Sequence, residues 1–250
     1  MKINTLSPKP FLSVSALLLM SFSAHGLMIA PTDLNTLALG ARIVGPVGPT
    51  VDSSFMNAAG DGLGDMRGSV ACPAGFTVCA PPANPAGTLY TYVYEIAPGV
   101  DAFANDLPFP QPPLVNPAFD QVTGFQLDLA PGSNGVAGFD FAQASNALGN
   151  GADFQIGLLD DVLTWTVSGG DSDWNSGEII TFFWQTTQPP SGPGKVYGLS
   201  NASHAGSAVG PSPMRLPVTV PGSGLLLGML LPLLAWMRRH EIRSLSNHRA

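Results

Sequence analysis

Two acidic loops contain the side chains with the clearest spacing for metal chemistry. In residues 169–178, Asp171, Asp173 and Asn175 occupy alternate positions, as in calcium loops where successive oxygens converge on one ion. The glycine comes one position late, at Gly177, and no glutamate occupies the twelfth position. A solvated turn whose Asp and Asn side chains bond their own backbone explains the same residues. We favour the turn over a calcium site.

The second acidic loop, residues 60–65, offers Asp61 and Asp65 in a similar way. The same two interpretations apply to it, and the turn is again favoured. Acidic side chains also keep a protein soluble without binding any ion. We therefore predict neither a metal ion nor a cofactor.

The other candidates for catalysis are a carboxylate pair and one histidine. A glycosidase needs an acid and a partner carboxylate several ångströms apart, whereas adjacent residues such as Asp160 and Asp161 point to opposite faces of a strand. His204 falls in a predicted connecting segment, where holding it beside a nucleophile is difficult. Nucleophile-elbow, zinc-protease and phosphate-loop motifs are absent from the sequence. We predict that the chain is not an enzyme. A hydrolase is the third alternative, with a cleft around Asp160, Asp161, Asp171 and Asp173.

The two cysteines, Cys72 and Cys79, are predicted to form a disulfide. In an oxidising compartment two nearby thiols pair, and closing a loop of this size stabilises the fold by about 2–3 kcal/mol. A zinc site is the alternative, but two thiols without a nearby histidine do not supply four ligands.

The charge of the central region excludes nucleic acid as a partner. Residues 27–217 contain four basic side chains against fourteen Asp and two Glu, a net charge of about −12. Phosphate binding needs clustered Lys and Arg, and such clusters are missing from this region.

The elements that must position these residues are mainly strands. Tyr90, Tyr92, Tyr94 and Ile96 alternate with other residues over 89–97, the period of a strand. Short apolar runs separated by Gly, Asn, Asp, Ser and Pro give the same prediction. Further strands are expected at 122–129, 135–141, 153–159, 161–167, 178–186 and 195–200, with weaker ones at 27–30 and 38–47.

These strands predict an all-β fold, an antiparallel β-sandwich with long Gly- and Pro-rich loops over residues 27–200. The prolines of 98–120 indicate a long connection, and residues 58–68 are loop-like. One short helix is predicted at 141–148. Small and polar residues at 201–217 predict a flexible tether.

The N-terminus is typical of a signal peptide. Lys2 and Lys9 precede an apolar core from Phe11 to Phe22, and small residues follow at the positions that signal peptidase reads. We predict cleavage after Gly26, so that residues 1–26 are removed outside the cytoplasm. An uncleaved membrane helix is the alternative, but the apolar run is short for it.

The C-terminus is typical of a membrane anchor. Residues 218–237 contain no charge and match the length of a transmembrane helix. Arg238 and Arg239 follow at once and favour a cytoplasmic stop. The predicted segments are therefore a transmembrane span at 218–239 and a cytoplasmic tail at 240–250.

This C-terminal pattern resembles the PEP-CTERM sorting signal of Gram-negative bacteria. Val220, Pro221 and Gly222 stand at the position of the short motif, and Arg238 and Arg239 form the basic cluster. The usual Glu-Pro after Val-Pro is replaced here by Gly222-Ser223, a proline interrupts the apolar helix, and the cytoplasmic tail is long. The resemblance implies an exosortase as the processing partner and transfer to the cell surface, often alongside exopolysaccharide.

A second sorting signal competes for nearby residues. Leu216, Pro217 and Thr219 match the Gram-positive sortase pattern L-P-x-T-G, but Val220 replaces its glycine. Because that chemistry cuts after the threonine and needs the glycine, we favour the PEP-CTERM interpretation.

Together these features predict an exported protein with a structural or interaction role at the cell surface or in the extracellular matrix. Signal peptidase and an exosortase are its expected processing partners. The alternative is a carbohydrate-binding module that stacks sugars on Trp174, Trp184 or the tyrosine stripe of 89–97. Such a module exposes its aromatic side chains, whereas a structural domain buries them.

Overall fold

The computed structural model describes residues 26–43, 51–81, 83–103, 119–149, 153–169 and 174–214. In this part of the chain, strands dominate, with one α-helix, α1 (Phe141–Leu148), and one 3-10 turn (Leu34–Thr36). The strands are β1 (Leu27–Ile29), β2 (Thr32–Asp33), β3 (Leu39–Arg42), β4 (Val51–Met56), β5 (Gly62–Pro73), β6 (Tyr90–Pro98), β7 (Gly124–Leu127), β8 (Ser133–Phe139), β9 (Asp153–Leu159), β10 (Val162–Ser168), β11 (Ile180–Thr186), β12 (Pro190–Ser200) and β13 (Ala205–Pro213).

The strands form one continuous sheet in the order β1-β9-β10-β7-β12-β13-β4-β5-β6-β11-β8-β2, with β3 paired to β5. Among the named strands, only the pairing of β2 with β8 is parallel. The outermost strands β1 and β2 are consecutive in the chain, with only Ala30 and Pro31 between them. Residues Leu27–Asp33, which we call the N-terminal clasp, therefore bridge the two ends of the sheet, so the sheet must curl until its ends meet.

The core lies inside this curl. Phe125 on β7 stacks against Trp165 on β10 at 5.2 Å between ring centroids and packs against Phe182 on β11 at 5.1 Å. Five strands separate β7 from β11 in the sheet order, so only a curled sheet can bring these rings together. Burying each such side chain contributes about 1.5–3 kcal/mol. The aromatic contacts thus hold the two halves of the sheet face to face.

The main secondary-structure predictions are confirmed. Strands β6 to β12 cover the seven strands predicted with clear patterns, and β1 and β3 fall within the two weaker predictions. The helix predicted at 141–148 is α1, which begins because the carboxylate of Asp140 accepts a hydrogen bond from the Gln143 backbone N–H at 3.0 Å. It ends at Gly149, and Ala144, Ala147 and Leu148 face the core.

The all-β prediction is correct, but the predicted antiparallel sandwich needs two corrections. The strands belong to a single curled sheet, and that sheet is mixed because β2 runs parallel to β8. Local patterns predict individual strands but do not show that consecutive β1 and β2 join opposite ends of one sheet.

The prediction of a loop at 58–68 is wrong for much of its length. Residues 62–68 lie in β5, a twelve-residue strand between β4 and β6. A Cβ on Gly64 would lie 2.5 Å from the Ala97 carbonyl oxygen, and a Cβ on Gly68 would lie 2.6 Å from Pro211 Cδ. Backbone atoms leave no room for a Cβ at Gly64, and the proline ring leaves none at Gly68; these glycines interrupt the period-two pattern of the strand.

The prediction of a flexible tether at 201–217 is wrong over Ala205–Pro213. These residues form β13, which pairs with β12 along its whole length and also contacts β4. Prolines face each other across this hairpin at Pro190–Pro213 and Pro193–Pro211. Register shifts in β12 mark bulges, where a residue that cannot donate to the ladder is tolerated. The folded domain therefore extends past residue 200, to Pro213.

The chain enters and leaves the sheet at one end. Leu27, Leu158, Leu163, Leu127 and Tyr197 form a row across β1, β9, β10, β7 and β12. Each neighbour is antiparallel to the next, and β13 is antiparallel to β12, so β1 begins where β13 ends. We call this the terminal end; it holds the β5–β6 and β9–β10 connections. The opposite, far end holds the turns at 57–61 and 201–204.

Within the described ranges, no helix is both long and apolar enough to cross a bilayer. The predicted signal peptide up to residue 25, the predicted membrane span at 218–239 and the tail at 240–250 lie outside the described residues. The proline-rich connection also lies largely outside them, at 104–118.

The N-terminal clasp provides a test of the curled sheet. A Cβ on Gly138 would lie 1.8 Å from the Thr32 carbonyl oxygen, a backbone atom that cannot move aside without separating β2 from β8. We expect Gly138→Ala to lower the free energy of unfolding by about 1–3 kcal/mol. Gly157→Ala is the matched control, because its Cβ would meet only the Thr164 hydroxyl at 3.2 Å. Urea unfolding measures both; equal stability of the two variants would contradict the clasp.

Candidate functional site

The predicted calcium loop is only partly described. Asp171 and Asp173 lie outside the described residues. Asn175 and Glu178 are engaged with the protein itself: the Asn175 backbone N–H donates to Glu178 Oε2 at 2.6 Å, and Asn175 Oδ1 accepts from the Gln121 N–H at 3.3 Å. Both residues are thus engaged with the protein, while the predicted turn and the predicted ion site also depend on Asp171 and Asp173, which are not described. In the part of the chain that can be described, no three His, Cys, Asp or Glu side chains are grouped to hold a metal ion.

The second acidic pair is divided between two hydrogen-bond sets. Asp61 Oδ2 accepts from the amide of Asn57 at 3.0 Å within the β4–β5 turn. Asp65 is buried and accepts from the Ser54 hydroxyl at 3.0 Å and from the backbone N–H groups of Ala102 and Phe103 at 2.8 and 3.2 Å. Asp61 thus fastens a turn, while Asp65 fastens the chain that leaves β6.

Burial of the Asp65 carboxyl raises its pKa above the ordinary value, and the nearby charge of Asp101 acts in the same direction. The hydrogen bonds from Phe103, Ser54 and Ala102 favour the carboxylate and oppose this shift. The net rise makes Asp65 a buried acid whose ionisation opposes folding.

The adjacent carboxylates of Asp160 and Asp161 lie in the hairpin turn between β9 and β10. Both residues have positive φ, 50° and 63°, as the two-residue turn of a tight hairpin requires. Asp and Asn tolerate this conformation better than other residues with a Cβ. Both residues are exposed. Turn geometry therefore accounts for this pair without catalysis.

His204 lies in the far-end turn between β12 and β13 and is exposed. Its backbone N–H donates to Asn201 Oδ1 at 2.8 Å, and its carbonyl oxygen accepts from the Asn201 N–H at 3.0 Å. The imidazole lies edge-on to the Phe119 ring at 6.5 Å between centroids. The sequence placed His204 in a flexible tether, whereas the structure places it in a tight turn.

The aromatic residues proposed for sugar stacking are buried. Trp174 and Trp184 have no exposed surface, and Tyr90, Tyr92 and Tyr94 are at most 4% exposed. Their polar atoms also have partners inside the protein, as in the bond from Trp184 Nε1 to the Tyr94 hydroxyl at 3.0 Å. The tyrosine stripe lies on a central strand that is buried on both faces.

A buried tyrosine network joins three strands through these side chains. The Tyr197 hydroxyl lies 3.2 Å from the Tyr94 hydroxyl and donates to the Pro211 carbonyl oxygen. Burial raises the pKa of both Tyr94 and Tyr197 well above the usual value, so both phenols stay neutral. The network ties β6, β12 and β13 together as a structural element.

A charged ladder crosses three neighbouring strands and was not foreseen from the sequence. Arg67 on β5 is the register partner of Asp52 on β4 and of Glu95 on β6. Its guanidinium lies 3.1 Å from the Asp52 carboxylate and 3.6 Å from the Glu95 carboxylate, and its Cζ stands 4.3 Å from the centre of the Phe103 ring. These residues are grouped by the register between neighbouring strands. The sequence does not predict β4 or β5, so it does not predict this register.

The disulfide between Cys72 and Cys79 is confirmed. The Cα atoms are 5.7 Å apart, and both residues are buried. The Asn84 side-chain amide donates to Cys72 Sγ at 3.2 Å and lies 3.2 Å from the Tyr90 hydroxyl. The bridge therefore fixes the long β5–β6 connection onto the sheet.

An apolar groove of about 370 Å³ opens at the terminal end beside β1. Its walls come from the first residues of the clasp and from the β9–β10 hairpin, mainly Leu27, Met28, Leu158, Leu159 and Val162. Leu27, Met28 and Leu159 are each about half exposed or more, at 55%, 63% and 45%.

The surface is polarised between the two ends. Of eight large exposed apolar side chains among the described residues, six lie at the terminal end: Leu27, Met28, Leu39, Val78, Leu159 and Met214. The other two, Phe141 and Ile179, lie at the far end. Carboxylates follow the opposite trend. The far end carries Asp33, Asp61, Asp101, Asp120, Asp140, Asp153 and Glu178, whereas the terminal end carries Asp128, Asp160 and Asp161.

Comparison with known proteins finds no matching family model, curated relative or solved structure.

The disulfide predicts a measurable loss of stability. Replacing Cys72 and Cys79 together by serine should lower the free energy of unfolding by about 2–3 kcal/mol, because the unfolded chain then gains the freedom of the opened loop. Urea unfolding measures the change. Wild-type protein under reducing conditions is the control and should lose a similar amount. A change below about 0.5 kcal/mol in both would contradict the prediction.

Asp65 predicts a pH-dependent term in stability. The pKa of the Asp65 carboxyl is raised in the folded state above the ordinary 3.8. The stabilising contribution of the protonated carboxyl is therefore fully present below pH 3.8 and is lost as the pH rises through the folded-state pKa. The variant Asp65→Asn cannot ionise at this position. Its amide places a donor group where the carboxylate accepts hydrogen bonds, which lowers the free energy of unfolding by about 1–3 kcal/mol at every pH. The stability of wild type relative to this variant should therefore fall over that window. Asp161→Asn, an exposed turn residue, is the control. A difference between wild type and Asp65→Asn that rises with pH would contradict the shift.

Proposed function

We propose that the chain is an exported protein whose β domain has a structural or interaction role at the cell surface or in the extracellular matrix, without catalysis. Residues 1–26 direct export and are removed by signal peptidase. Residues 218–237 hold the precursor in the inner membrane, with the domain facing the periplasm and 240–250 in the cytoplasm.

The main support for this proposal is that the chain enters and leaves the domain at the same end of the sheet. The domain begins at Gly26 and ends at Met214 on the same end of the sheet. An apolar run precedes Gly26, and a second one follows Met214 within a few residues. A domain whose two flanks leave at one end can lie beside one membrane with both flanks attached until signal peptidase removes the first of them.

The disulfide supports export. Thiols in the cytoplasm are kept reduced, whereas the periplasm and the extracellular space favour pairing. Here the Cys72–Cys79 bridge is buried and is built into the β5–β6 connection.

The burial of the aromatic side chains favours a structural domain over the carbohydrate-binding alternative. Trp174, Trp184 and the tyrosine stripe contribute to the core and offer no stacking surface. Asp160 and Asp161, which the hydrolase alternative would use, occupy an exposed hairpin turn, and the groove that Asp160 borders has mainly apolar walls.

The sorting step is the finer part of the proposal. Val220, Pro221 and Gly222 would be recognised by an exosortase, which would release or transfer the domain toward the cell surface alongside exopolysaccharide. Because β13 occupies Ala205–Pro213, the spacer between the domain and this motif is short: residues 214–219 reach at most about 20 Å when extended. The processing enzyme would then act close to the folded domain.

Fractionation of the native host with and without its exosortase tests the sorting step. With the enzyme, we expect a chain outside the inner membrane that begins at Leu27 and ends near Val220, as measured by intact mass. Without the enzyme, we expect the chain to stay in the inner membrane with its C-terminus intact.

Two paired variants separate the competing motifs. Replacing Val220 and Pro221 by alanine should retain the chain in the inner membrane, whereas replacing Leu216 and Pro217 by alanine should leave processing unchanged. The reverse result would support the sortase-like motif, and an intact membrane-bound chain in all strains would refute sorting at either motif.

A further inference from the structure

We infer that the terminal end is a lipid-facing surface, on which exposed apolar side chains contact the bilayer that holds the apolar tail of the chain. This inference rests on the proposed anchoring by residues 218–237 and adds an orientation to it. The occupant is the bilayer surface.

The first argument is the concentration of exposed apolar side chains at one end. Six of the eight large ones among the described residues lie at the terminal end, and Met28 and Val78 are exposed by 63% and 70%. Leu27, Met28 and Leu159 rim the groove beside β1, whose walls are mainly apolar. Apolar side chains that are contiguous, as Leu27, Met28 and Leu159 are around the groove, mark an interaction site, whereas scattered apolar residues need no explanation.

The second argument is the reach of the chain. β13 ends at Pro213, and the Met214 backbone N–H donates to the Pro189 carbonyl oxygen at 2.8 Å, which holds Met214 on the domain. Only three residues, 215–217, separate it from the charge-free run at 218–237. Three extended residues span about 10 Å. A domain held this close to an embedded segment has to present the terminal end to the membrane.

The third argument is charge. Among the described residues, seven carboxylates and none of the Lys and Arg side chains lie at the far end. Anionic headgroups repel such a surface within a Debye length. Three of the described carboxylates lie at the terminal end, so the electrostatic cost of approaching lipid is lower with this end toward the membrane. Apolar contact and charge therefore favour the same orientation.

Photo-crosslinking of the full chain tests this orientation. The full chain is reconstituted in phosphatidylethanolamine–phosphatidylglycerol vesicles that contain a phospholipid with a photoactivatable group near the headgroup. We expect lipid adducts on 27–28 and 157–162 and none on the far-end turns 57–61 and 201–204. Adducts spread equally over both ends, or missing from 27–28 and 157–162, would overturn the inference.

A matched pair of variants shows whether the apolar side chains themselves make the contact. Met28→Glu with Leu159→Glu should reduce adducts on 157–162 by about tenfold, because carboxylates are costly in apolar lipid. Phe141→Glu with Ile179→Glu changes two apolar residues of comparable exposure at the far end and should leave the adducts unchanged. Near-ultraviolet circular dichroism and the intact disulfide verify that each variant is folded. Equal adducts in both variants would overturn the role of these side chains.

Alkaline carbonate extraction of the same vesicles separates the inference from the proposed anchoring. A chain that is released from the vesicles refutes anchoring by 218–237, and with it the proposed function. A chain that stays embedded while its terminal end carries no lipid adducts overturns only the inference.

Discussion

The packing of one sheet face against itself is the interaction on which the rest of the structure depends. Phe125 and Trp165 lie on the neighbouring strands β7 and β10, whereas Phe182 lies on β11, which is distant from both in the sheet order, and its contacts with these two rings close the curl. A hydrogen bond from Trp165 Nε1 to the Gly138 carbonyl oxygen at 3.1 Å joins the same two halves. If this face were opened, the clasp could not reach from β9 to β8, and the aromatic side chains would be exposed to water.

Most strands with alternating large side chains could be predicted from the sequence, whereas β5 and β13, which are rich in small side chains, could not. β9 was predicted at its observed bounds because Phe154, Ile156 and Leu158 alternate with other residues. β5 and β13 were missed because Gly, Ala, Ser and Pro supply much of their length, and their burial comes from close backbone approach and not from apolar periodicity. The closure of the sheet was also out of reach, since it depends on the pairing of β1 and β2 with strands far along the chain.

The candidate functional residues divide in the same way, into those that local spacing identifies and those that only the sheet order brings together. Spacing identified the disulfide, because two cysteines in an exported chain have few alternatives. Spacing also suggested the loops at 60–65 and 169–178, where the described side chains bond to the protein itself. The Arg67 ladder depends on register across three strands, and the division between an apolar end and an acidic end depends on strand direction. Neither can be derived without the sheet order.

The placement of β13 is the central claim, because it fixes where the chain leaves the domain and how close the domain lies to the apolar tail. Amide hydrogen exchange of the folded protein tests it directly. We predict that the non-proline amides of Ala205–Pro213 that pair with β12 are protected to the same degree as those of β9 and β10. Exchange of these amides at the rate of an unfolded chain would show that they form a tether outside the sheet and would contradict the account.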